Sequence, residues 1–170
     1  VIATVLSATE AALGGFDQQA VLRYLKSILS PVDMDTCDRM ENYIITWGIR
    51  GSGFWKEWTN HPDGLGVNWD EASQQTLAEL NAARALAIEP LRELANAFRE
   101  ASCLGEQIKA LYAFLERIGF AQRLQELAKS LDDAGEHRDA QILNQLWEIL
   151  LEALEQLYDV LGETQWEELF

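Results

Sequence analysis

Residues 48–56 read Gly-Ile-Arg-Gly-Ser-Gly-Phe-Trp-Lys, and a glycine-rich turn of this kind can cradle phosphate through its backbone N–H groups. A phosphate loop also needs Lys and Ser/Thr directly after its closing glycine, at a strand-to-helix junction. Here Phe54 and Trp55 follow Gly53, and the residues before the turn have helical spacing, so no nucleotide seat is expected. Lys56 occupies the place of the third glycine of a dinucleotide fingerprint. His61 and His137 are the only imidazoles, 76 positions apart and outside any HExxH pattern, so neither is expected to hold a metal. Asp33, Asp35 and Asp38 resemble the start of a calcium loop. Cys37, however, stands where an oxygen ligand belongs, and Ile44 replaces the closing glutamate. None of the four lysines lies two places after a glutamate, as a Glu-x-Lys nuclease centre would require, and no Gly-x-Ser-x-Gly elbow occurs. The expectation is a chain with no catalytic, cofactor-binding or metal-ligating residue of its own, and so not itself an enzyme.

The remaining chemical candidate is aromatic. Tyr43, Trp47, Phe54, Trp55, Trp58 and Trp69 fall within 27 residues, interleaved with Arg50 and Lys56. Single-stranded nucleic acid is often held this way, bases stacking on rings for about 1–3 kcal/mol each while cations neutralise phosphates. Glu57 and Asp63 cancel the two cations, which leaves the segment neutral. Tryptophans that pin a long loop onto helices are the commoner arrangement and the favoured reading. Arg50, Lys56, Trp55 and Trp58 are the residues expected to touch nucleic acid or a partner if this stretch is a contact surface.

These residues lie in the one long stretch without helical period. Residues 50–70 hold four glycines, one proline and three tryptophans, and a loop of that length is usually functional or anchored by its own large side chains. The rest reads as helix. Helices are expected over residues 1–13, 16–29, 33–49, 105–119, 121–134 and 139–161. Another starts at a cap on Asn68 or Asp70 and runs to Pro90, where it should kink or give way to a segment ending near residue 102. A further amphipathic turn is expected over 164–170. The fold expected is all-α: an irregular multi-helix bundle of about seven to eight helices with one long Trp/Gly-rich loop, forming a single domain over 1–170.

Composition sets the limits. The 170 residues are 48% hydrophobic and carry 28 acidic against 13 basic side chains, for a formal charge of −15. A chain of this length buries roughly two thirds of its unfolded surface, so it needs neither disulfide nor metal to fold. Cys37 and Cys103 form no CxxC or Cys/His cluster, which fits a reducing cytoplasm. No run approaches the ~20 apolar residues of a membrane span. The charge repels phosphate, so the isolated chain is not expected to bind nucleic acid strongly.

The stretch Ala20-Val21-Leu22-Arg23-Tyr24-Leu25-Lys26-Ser27, followed by Met40-Glu41-Asn42-Tyr43-Ile44-Ile45-Thr46-Trp47-Gly48-Ile49-Arg50-Gly51 and Trp55, resembles the middle of the AddB family, the B subunits of bacterial ATP-dependent helicase/deoxyribonucleases. The likeness continues through Asn81-Ala82-Ala83-Arg84, Pro90-Leu91, Gln145-Leu146-Trp147, Leu154-Glu155-Gln156-Leu157, Gly162 and Glu167-Glu168-Leu169-Phe170, and so covers nearly the whole chain. The resemblance implies an internal piece of a longer protein: a helical 2B-like subdomain of a UvrD-related fold. Its parent would work with an AddA-type helicase subunit on broken DNA ends, in resection and recombinational repair. Mg2+, an iron–sulfur cluster and ATP would serve the parent complex, and none of the family's nuclease acids or cluster cysteines has a matching position here. The expected function is a non-catalytic subdomain within such a parent. The alternative is a free-standing acidic adaptor whose C-terminal helix docks on a basic protein.

Overall fold

Short polar side chains start three of the helices, and glycines end several of them. In the computed structural model, which describes residues 2–164, Asp33 accepts from the Thr36 N–H at 2.9 Å and opens α3 (Met34–Thr46). Asp17 does the same for α2 (Gln18–Leu25), accepting from Gln19 N–H at 2.9 Å. Asp70 caps α4 (Glu71–Glu100) by a reciprocal pair: Ser73 N–H donates to Asp70 Oδ1 at 2.7 Å, and Asp70 N–H donates to Ser73 Oγ at 2.9 Å. At the far end of α3, Gly48 takes φ 59°, which lets its N–H reach Ile45 O at 3.2 Å and the Ile49 N–H reach Ile44 O at 2.9 Å. That bond pair is the Schellman closure, and the left-handed backbone it needs favours glycine.

The remaining helices are α1 (Ile2–Leu13), α5 (Leu104–Arg117), α6 (Phe120–Asp133) and α7 (His137–Leu161), so seven α-helices and no strand occur among the described residues. The fold is all-α, as the periodicity requires. The main departures from the sequence reading lie in α2, in α4 and in the loop. α2 stops at Leu25, because Ser27 Oγ–H donates to Tyr24 O at 2.7 Å and turns the chain early. It also starts late, because Phe16 sits at φ 62°. α4 runs unbroken through Pro90 for 30 residues, so the proline neither ends the helix nor opens a new one. Within 50–70 a 3-10 turn forms over Gly51–Phe54. The turn expected over 164–170 falls, beyond Thr164, outside the described residues.

The chain divides into two compact units, Val1–Glu93 and Leu94–Phe170, where the sequence alone suggests one domain; the division falls inside α4. In the first unit α1 lies against α2 and α2 against α3. Its core holds Phe16, Tyr24, Leu25, Met40, Tyr43, Ile44, Phe54, Trp58, Ile88 and Leu91, each at most 3% exposed. Burying a side chain of this size contributes roughly 1.5–3 kcal/mol. In the second unit α7 packs on both α5 and α6. Phe114, Leu115, Phe120 and Leu124 form its centre, and Trp147 of α7 lies 6.0 Å from the Phe120 ring. The start of α5 is tied to the end of α7: Gly105 N–H donates to Gly162 O at 3.0 Å and Leu104 N–H to Thr164 O at 3.2 Å. This satisfies two N–H groups that a helix start leaves without intrahelical partners.

Candidate functional site

The long loop belongs wholly to the first unit, and its first half is held from three sides. At its start, Gly51 N–H donates to Phe16 O at 3.0 Å, and the Phe16 ring meets Trp55 edge to face, with centroids 5.3 Å apart at 88°. The left-handed backbone at Phe16, costly for a bulky residue, turns its carbonyl and ring toward the loop at once. From below, Trp58 stacks on Tyr43 of α3 at 4.7 Å and 16°, and its indole N–H donates to Gly53 O at 3.2 Å. From α4, the Asn81 amide grips the Trp58 backbone with both ends. Its Oδ1 accepts the Trp58 N–H at 2.9 Å, and its Nδ2 donates to Trp58 O at 2.8 Å.

Arg84, one turn further along α4, is 8% exposed. Its Nε donates to Asn81 Oδ1 at 3.2 Å and its Nη1 to Phe54 O at 3.2 Å. These partners are neutral, so the guanidinium orients the loop carbonyl and the clamping amide through charge-assisted bonds. The middle of the loop is fixed by Tyr43, whose hydroxyl donates to Asn60 O at 3.2 Å and accepts from Asn60 N–H at 3.0 Å. Burial holds that phenol above its ordinary pKa. Trp47 adds an indole bond to His61 O at 3.1 Å. His61 is buried, with Nδ1 accepting the Asp63 N–H at 3.1 Å, and its ring lies 4.6 Å from that of Trp69.

The four residues singled out from sequence therefore part company. Trp58 is 3% exposed and has no open face for a base. Trp55 is half-buried against Phe16. Arg50 and Lys56 are exposed, with no ion-pair partner among the described residues. The loop's exposed aromatic is Trp69, which shares the 65–69 stretch with exposed Leu65 and Val67 and with no cation. The residues that sequence reasoning missed are Asn81 and Arg84. Their one available signal is a polar pair three apart on the face of α4 that otherwise carries Leu77, Leu80 and Ala87.

The donor set does not suit the cofactors implied for a longer parent. Among the described residues no three His, Cys, Asp or Glu side chains come together as a metal-binding group. Cys37 is buried, with its Sγ 2.8 Å from Leu25 O and 3.9 Å from Ser30 Oγ, and burial raises its pKa, the reverse of what a thiolate ligand needs. Cys103 lies in the other unit. These residues do not fit an iron–sulfur cluster or a nuclease magnesium. No described helix is long and apolar enough to cross a membrane.

No known family model matches the chain. Individual relatives do. The chain is 31% identical over 169 residues to the B subunit of an ATP-dependent helicase/deoxyribonuclease of Clostridium botulinum strain Langeland, an alignment that takes in 96% of this chain and 14% of that protein. It is 30% identical over 167 residues to the protein of the same name from Desulforamulus reducens, and 26% identical over 162 residues to that of Acetivibrio thermocellus. The chain thus spans about one seventh of the length of the curated relatives it matches. This identity and coverage make the chain a segment belonging to the AddB family, the B subunits of ATP-dependent helicase/deoxyribonucleases.

Proposed function

We propose that this chain is a non-catalytic helical subdomain of an AddB-type ATP-dependent helicase/deoxyribonuclease protein, acting in the processing of DNA double-strand breaks for recombinational repair. The observation that carries the reading is coverage: nearly all of the chain aligns, but with only 14% of each relative. That also favours a segment over a free-standing adaptor. The loop agrees with a role in shape. Its central tryptophan is spent on Tyr43, and two α4 side chains are spent on loop backbone, so the most chemical-looking stretch is an internal brace.

In this reading ATP, Mg2+ and the iron–sulfur cluster are seated elsewhere in the parent. An AddA-type helicase subunit and DNA are partners of the assembled complex, which works in the cytoplasm. Turnover by the isolated chain is the test. Incubated with ATP, Mg2+ and linear duplex DNA, it should release neither phosphate nor nucleotides. Metal-dependent cleavage that co-purifies with the folded chain would refute the non-catalytic role.

A further inference from the structure

In the second unit an open groove of about 420 Å³ runs between α5 and α7. Its floor is apolar: Ile108 and Tyr112 from α5, with Leu151, Leu154 and Tyr158 from α7. Tyr112 and Tyr158 remain 37% and 40% exposed although each is packed on one side, Tyr112 on Trp147 and Tyr158 under the Lys109 ammonium. Along α7 the groove extends from Leu151 to Asp159, about 12 Å or two helical turns at ~1.5 Å per residue.

The α7 rim is wholly acidic. Glu155 and Asp159 line the groove, and Glu148 and Glu152 continue the row at spacings of four and three, which place all four carboxylates on one side of the helix. All four are exposed, and none has a cation partner among the described residues. Residues 141–170 contain no Lys or Arg at all. Like charges four apart on a helix repel, and α7 itself offers no basic residue beyond position 140 to offset that repulsion. The opposite rim carries one cation, Lys109.

We propose that this groove docks an amphipathic helix of another polypeptide, one whose apolar stripe is bordered on a single edge by lysines or arginines. The floor accepts the stripe, the row 148–152–155–159 pairs with the basic edge, and Lys109 disfavours a second basic edge on the α5 side, which fixes the orientation of the occupant. DNA is the wrong ligand, because the carboxylates would face phosphates. A second copy is equally unsuited, because its α7 would bring carboxylate against carboxylate. The inference concerns the surface of this chain and stands whether or not the proposed parent role does.

The test uses the whole chain and a labelled synthetic peptide of about 18 residues, a helix with a leucine stripe and lysines along one edge. A peptide of the same composition with permuted order serves as comparison. Fluorescence anisotropy should show saturable binding of the patterned peptide, weakened roughly tenfold or more by E148Q/E152Q/E155Q/D159N and by added salt. The D35N/E57Q/D63N/E71Q variant removes the same number of charges from the other unit and should stay within about twofold. Thermal melts of both variants should stay cooperative and within a few degrees of the parent chain, since all eight positions are exposed. Equal affinity for the permuted peptide, equal loss in the control variant, or no binding of the patterned peptide would each overturn the proposal.

Discussion

Replacing Trp58 with alanine separates an internal brace from a base-stacking platform. The side chain is 3% exposed, stacked on Tyr43 at 4.7 Å, and bonded through its indole N–H to Gly53 O. Deleting a buried tryptophan costs about 3–5 kcal/mol. At roughly 0.05–0.15 kcal/mol per residue, a unit the size of residues 1–93 has about 5–14 kcal/mol in all, so the substitution should remove about a fifth or more of it. The unit's thermal midpoint should fall by at least about 12 °C. Trp55→Ala, losing an edge contact from a half-buried site, should cost about 1–2 kcal/mol, and Trp69→Ala, at 47% exposure, within about 0.5 kcal/mol. The assay is urea unfolding followed by far-ultraviolet circular dichroism, run beside anisotropy of a labelled single-stranded oligonucleotide. The order Trp58, Trp55, Trp69 in lost stability, with no specific oligonucleotide effect, is expected. An unchanged urea midpoint for Trp58→Ala, accompanied by weaker oligonucleotide binding, would refute the bracing argument.

Asn81→Ala leaves the Trp58 N–H and C=O and the Arg84 Nε without their partner; a loss of about 2–4 kcal/mol is expected in the same unfolding assay, and a loss below about 0.5 kcal/mol would show that the clamp is not energetically engaged. Gly105→Ala would set a Cβ 2.7 Å from Gly162 O and 3.0 Å from Tyr158 Cε2, so the start of α5 must move off the end of α7; about 1–3 kcal/mol should be lost from the second unit, read as faster hydrogen exchange over residues 104–110. The cap carboxylates Asp33 and Asp70 have pKa values lowered by hydrogen bonds, chiefly from the backbone N–H groups of Thr36 and Ser73. Their stabilisation is therefore full above the ordinary carboxylate range and lost as pH falls through the depressed folded values. D33N/D70N should flatten the acid limb of a pH–melting profile without changing its shape above about pH 6. Buried Cys37 should resist iodoacetamide in the folded chain while half-buried Cys103 reacts, and urea should equalise them.

Most helices are legible in the sequence because their ends are written locally. Gly14-Gly15, Gly48, Gly119 and Gly135 close helices, and Asp33 and Asp70 open them within a turn of residues that can be read one after another. Non-local bonds are not legible. The clamp from Asn81 to Trp58 joins residues 23 apart, and the Phe16–Trp55 contact depends on a left-handed phenylalanine that no spacing rule announces. Pro90 reads as a kink or the start of a new segment, and α4 continues through it as one helix of 30 residues. Nothing in composition marks a boundary between units there, because the division falls within a helix whose apolar spacing does not change. The aromatic cluster is legible as a cluster, but which ring faces solvent is decided by packing: Trp58 is drawn under the loop by Tyr43, whereas Trp69 keeps half its surface open.

The central claim, that the segment contributes shape and no reacting group, is tested most directly in a full-length AddB-type protein carrying this sequence, assembled with the helicase subunit proposed as its partner. Trp58→Ala and Trp58→Phe should be compared for complex recovered and for duplex DNA degraded per assembled complex. Shape alone gives less complex for Trp58→Ala, rescue by Trp58→Phe, and turnover per complex within about twofold in both. Full assembly with turnover per complex reduced by about a hundredfold would contradict it.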